Sequence, residues 1–139
     1  MNTLKLAIEW RHTQSEYLDF IIDDKSLLEM FQRDYRGTLR GPFGFFGTSE
    51  LKLLAEVALG QNAGELGNGR LVLYRCEDCG ALGCGAITCR VTLEDESVYW
   101  TKFRLEADYE EFPVREHPEF IGLQFARDQY SQVFRNYLT

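Results

Sequence analysis

The stretch LVLYRCEDCGALGCGAITCRVTLEDESVYWTKFRL, residues 71–105, decides the fold. Leu71 to Cys76 is dense in apolar and β-branched residues, and so is Gly85 to Leu93, as strands require. Between them three thiols and three glycines crowd into eleven residues, Arg75 to Gly85, which fits a tight corner. Glu94-Asp95-Glu96-Ser97 is a second turn, and Val98 to Leu105 is a third strand. The pattern predicts an antiparallel meander.

Working back toward the N-terminus, Leu4, Leu6, Ile8 and Trp10 alternate with Lys5, Ala7 and Glu9, the period-2 signature of a half-buried strand. Leu18, Phe20 and Ile22 continue the alternation after a polar turn at 12–15, which predicts a hairpin. Ser26 with Glu29 matches a capping box, and Leu27, Met30 and Phe31 supply the apolar stripe of a short helix. The loop from Gly37 to Gly47 holds Phe43, Phe45 and Phe46 and reads as a lid on the core, with an exposed partner-binding loop as the other reading. Leu51, Leu54, Val57 and Ala58 share one face of a second helix that Gly60 ends. Residues 60–69 fit neither a dinucleotide fingerprint nor a phosphate-binding loop, and read as a connector.

Beyond the meander, Phe120 to Phe125 supplies a fourth strand. A final helix from about Arg127 repeats Tyr130, Val133, Phe134 and Tyr137 at helical spacing. The order β-β-α-α-β-β-β-β-α predicts an α+β fold: one antiparallel sheet with helices packed on it. A chain of 139 residues makes one domain, 1–139, able to bury a core without disulfides or metal.

Formal net charge is −7, and the second half is the more acidic: residues 71–139 carry seven Lys/Arg against twelve Asp/Glu. Nucleic acid is therefore a poor partner, because phosphate binding needs a basic footprint. A protein with a basic surface is the better match. Neither a secretory leader nor an apolar run of membrane-spanning length is visible, so the reading is cytoplasmic with no membrane partner. All four cysteines fall within fourteen residues, which argues against a disulfide framework and for a reducing compartment.

Cys76-x2-Cys79-Gly80 has the form of a zinc knuckle, and Cys84-Gly85 half-repeats it. Cys89 does not complete a four-cysteine site. An extended run from Cys84 puts the two thiols ~16 Å apart, whereas thiolates around one zinc sit ~4 Å apart. Cys89 shares a strand face with Ile87, Val91 and Leu93 and reads as a small buried hydrophobe. Cys76, Cys79 and Cys84 stay as candidate zinc ligands, with Asp78, His12 or His117 as a fourth; a redox dithiol and purely structural turn cysteines are the other readings. Neither histidine lies in a nucleophile–base pattern, and the carboxylates occur in solvated runs, so no catalytic constellation is present and the chain reads as a non-enzyme.

The acidic runs flank the third strand at both ends, with aromatic residues among them. Glu94, Asp95, Glu96, Tyr99, Trp100, Phe103, Glu106, Asp108, Tyr109, Glu110, Glu111 and Phe112 form the candidate partner-binding set, in which rings anchor and charge steers; a solvated acidic face that only aids solubility is the other reading.

The segment 73–87 together with Val98-Tyr99-Trp100 resembles small uncharacterised bacterial proteins that carry a Cys-x2-Cys-Gly-x2-Gly-Cys-Gly hairpin followed by a Val-x-Trp strand. That resemblance covers about a quarter of the chain and implies no particular activity. In overall format (small, acidic, one domain, no catalytic motif) the chain resembles the immunity proteins of bacterial toxin systems. This second resemblance implies a protein that blocks a toxin by covering its active or substrate-binding surface. A small zinc-binding or thiol-redox domain is the alternative expectation.

Overall fold

A computed structural model describes residues 1–10, 16–32, 39–40, 48–64, 67–76, 86–106, 115–116 and 122–138. Their elements follow in chain order. They are β1 (Leu4–Trp10), β2 (Glu16–Ile22), β3 (Lys25–Ser26), α1 (Leu27–Gln32), β4 (Leu39–Arg40) and α2 (Thr48–Ala58). The second half supplies β5 (Leu71–Cys76), β6 (Ala86–Leu93), β7 (Ser97–Glu106), β8 (Arg115–Glu116), β9 (Gly122–Ala126) and α3 (Arg127–Arg135). The fold is α+β and antiparallel, as the alternation requires. Without the three two-residue strands, the order is the one read from the sequence.

Two sheets stand where the sequence suggested one. The smaller runs β1-β2-β3 and the larger runs β4-β5-β6-β7-β8, with β9 also on β7. The β1–β2 hairpin pairs Leu4 with Ile22 through to Trp10 with Glu16. Asp23 and Asp24 make the following turn, both at positive φ (52° and 66°), as a two-residue hairpin turn needs. Asp23 accepts hydrogen bonds from the Asn2 side-chain amide and the Thr3 N–H at 2.6 and 2.8 Å, which together hold its carboxyl below the usual range.

The longest strand, β7, is shared. One edge pairs with β6; the other pairs with β9 over Ser97–Thr101 and with β8 at Arg104–Leu105. Between those stretches the register with β6 slips, Arg90 facing Thr101 but Thr88 facing Arg104, and Lys102 takes φ 51°. The buried Arg70 side chain fastens this bulge. Its Nε donates to Thr88 Oγ1 at 2.9 Å, and its Nη2 donates to the carbonyls of Thr88 and Lys102. Gly122 opens β9 at φ 153°, where a Cβ would lie 2.8 Å from the Trp100 carbonyl oxygen. Only glycine lets the two strands meet there.

The core lies between the larger sheet and a layer made of the smaller sheet and the helices. Trp100 is its centre, with rings of Phe20, Phe125 and Tyr130 at 5.7, 5.1 and 6.0 Å, all near edge-to-face. Trp100 Nε1 donates to the Tyr130 hydroxyl at 3.1 Å, and that hydroxyl donates to the Ala58 carbonyl at 2.7 Å. One chain of polar contacts thus joins β7, α3 and the end of α2. A second ties sheet to sheet: Tyr74 Oη accepts from the Phe20 N–H and donates to Asp19 at 2.6 Å, while Ser26 Oγ donates to the other Asp19 oxygen. Ser26 also accepts from the Glu29 N–H, one half of the expected capping box. At the open edge of β1, the Gln129 amide of α3 accepts from the Leu4 N–H and donates to its carbonyl, standing in for a neighbouring strand. Among the described residues no helix is long and apolar enough to cross a membrane.

Candidate partner-binding surface

Along β7 the side chains alternate, so the core position of Trp100 sends Tyr99 and Thr101 to the opposite face. The register sets Tyr99 between Thr92 of β6 and Gln124 of β9, and Thr101 between Arg90 and Gly122. Arg90 is exposed, and Thr92, Tyr99, Thr101 and Gln124 are half-buried. Gln124 Nε2 donates to Ser97 Oγ and to Tyr99 Oη, both at 3.3 Å, which fixes the tyrosine ring against the sheet.

This accessible strip is bounded. Farther from the turn on the same face, Val72, Ala86 and Thr88 are buried, as is the Arg70 side chain. At its other end stands the β6–β7 turn, where Glu94, Asp95 and Glu96 are all exposed.

The turn is rigidly held. Glu94 N–H donates to the Ser97 carbonyl, and Arg127 N–H at the start of α3 donates to the Glu96 carbonyl at 3.0 Å. Arg127 Nη1 reaches back to the Glu94 carbonyl at 2.6 Å. Backbone oxygens take these bonds, so among the described residues the three carboxylates form no ion pair. The turn's backbone is fixed, and its three carboxylate side chains face solvent.

Two expected anchors are corrected. Trp100 is 0% exposed and Phe103 1%, so neither ring can touch a partner. Trp100 shares the inward parity of Val98. Phe103 turns inward because the bulge at Lys102 inserts one residue and reverses the alternation beyond it. Glu94, Asp95, Glu96 and Tyr99 are brought together at one end of the meander. Glu106 closes β7 opposite Ala86, about ten strand positions from the turn. Asp108, Tyr109, Glu110, Glu111 and Phe112 lie outside the described residues, as does the 41–47 loop with its phenylalanines.

Of the proposed zinc ligands, Cys76 ends β5 opposite Leu39, and Cys79 and Cys84 lie outside the described residues with His12 and His117. Cys89 faces Leu71 in the core, fully buried, and burial pushes its thiol far above the ordinary range. Among the described residues no three metal-binding side chains converge. The Asp19–Tyr74–Ser26 group gathers a carboxylate and two hydroxyls; Asp19 is 3% exposed and Tyr74 0%, while Ser26 is half-buried. It latches the two sheets, and burial raises the Tyr74 phenol well above its usual range.

Sequence reasoning missed Thr92, Gln124, Arg90 and Arg127 as parts of this surface. Thr92 and Arg90 follow from the parity of β6. Gln124 and Arg127 depend on β9 returning to β7 across some twenty residues, which no local pattern announces. No family model, no curated protein and no solved structure matches the chain.

Proposed function

We propose that the chain is a protein-binding domain acting by occlusion, and specifically an immunity protein that neutralises a bacterial toxin by covering its active or substrate-binding surface. The observation that carries this is a turn with a pinned backbone that presents three solvent-facing carboxylates beside Tyr99, on a face that also carries Thr92, Thr101, Gln124, Arg90 and, past the bulge, the half-buried Arg104. Such a surface suits a basic partner: acidic charge steers encounter, and a preorganised turn loses little entropy on binding. Tyr99 is the anchor, its ring already immobilised by Gln124.

The test takes the products of the genes beside this one as candidate toxins, in growth-protection and surface-binding assays. E94K/D95K/E96K together should slow association by roughly tenfold or more at low salt, with the loss shrinking as salt screens the charges. Tyr99→Ala should raise the dissociation rate by roughly tenfold. Unchanged binding and protection in both variants would overturn the assignment.

A further inference from the structure

We draw no further inference here: the strongest candidate, the shallow groove of about 370 Å³ where the end of α2 and residues 60–63 meet Val91 and Leu93 of β6, is an unpartnered apolar surface for which nothing in the structure shows what covers it.

Discussion

Replacing Tyr130 by Phe removes a single oxygen from the middle of the core and asks whether Trp100 is held from inside. The ring can stay, because its contacts with Phe125 at 5.5 Å and Phe134 at 4.9 Å need no hydroxyl. Two hydrogen bonds go: the one from Trp100 Nε1 at 3.1 Å and the one to the Ala58 carbonyl at 2.7 Å. Trp100 and Ala58 are both 0% exposed, so water cannot replace the lost partner. A net bond is worth ~1 kcal/mol, and each buried group left unsatisfied costs ~1–3 kcal/mol. The expected destabilisation is therefore about 3 kcal/mol, a large share of the ~5–15 kcal/mol that holds a domain together. At about 2.1 cal/mol/K per residue for the unfolding entropy, this lowers Tm by roughly 10 °C. Urea unfolding followed by circular dichroism reads the loss as a lower midpoint at unchanged slope. Trp100→Phe, made alone and with Tyr130→Phe, completes a double-mutant cycle whose coupling should be at least about 1 kcal/mol. A single-mutant loss under about 0.5 kcal/mol, or no coupling, would refute the placement of Trp100 and return it to the list of surface anchors.

Three further outcomes follow from the geometry. Gly122→Ala should cost well over about 1 kcal/mol, since the new methyl meets the Trp100 carbonyl 2.8 Å away and φ 153° is strained for any L side chain; a variant as stable as the parent in urea would contradict the β7–β9 contact. Burial raises the folded-state pKa of Cys89, Tyr74 and Tyr130, so the native state keeps protons that the unfolded chain releases. Their stabilising effect is complete below the unfolded pKa values and is lost as pH climbs, from about 8.5 for the thiol and about 10 for the phenols, at ~1.4 kcal/mol per pH unit for each proton. Urea midpoints measured at pH 8, 9 and 10 should fall, less steeply between 9 and 10 in Cys89→Ala; identical pH slopes for variant and parent would count against a buried thiol. Finally, Cys89→Ala should leave zinc content, measured by mass spectrometry on protein purified under reducing conditions, equal to that of the parent, because Cys89 faces the core opposite Leu71. A drop in bound zinc would show Cys89 to be a ligand.

What local sequence could show, it showed well. Alternation over Leu4–Trp10 and Leu18–Ile22 marks the hairpin that the structure shows, although Asp19, on the alternate face of β2, is buried as well through its bonds to Tyr74 and Ser26. The Ser26 cap and the α2 stripe are likewise written in neighbouring residues. Trp100 was legible too: it shares parity with Val98, and only its aromatic character suggested an exposed anchor. Phe103 was not legible, because strict alternation puts it with Tyr99 and Thr101. The irregularity that turns it inward is stabilised by Arg70, thirty-two residues earlier, donating to the Lys102 carbonyl. The division into two sheets was hidden because it depends on which strands pair across the chain, and β3, β4 and β8, at two residues each, are too short to carry a period.

The loss of Trp100 and Phe103 from the surface changes what kind of binding the chain can offer. An interface built on buried rings gets its affinity from desolvated apolar contact and dissociates slowly. Here the described part of the surface holds one half-buried ring, two threonines, a glutamine, the exposed Arg90, and acidic charge at the turn. Charges that stay near solvent act mainly on the encounter rate, and beyond a Debye length of ~8 Å at physiological salt they act weakly. The contribution of this region should thus appear in the association rate and vanish near 1 M salt, where that length falls to ~3 Å. If the complex outlives that salt with its dissociation rate unaltered, its slow release must come from apolar contacts elsewhere on the chain. If it falls apart, the turn and Tyr99 hold it alone. Dissociation rates for E94K/D95K/E96K and for Tyr99→Ala, each taken at low and high salt, separate the two: in the first case the charge variant binds more slowly but leaves at the parent's rate, and in the second it leaves faster as well.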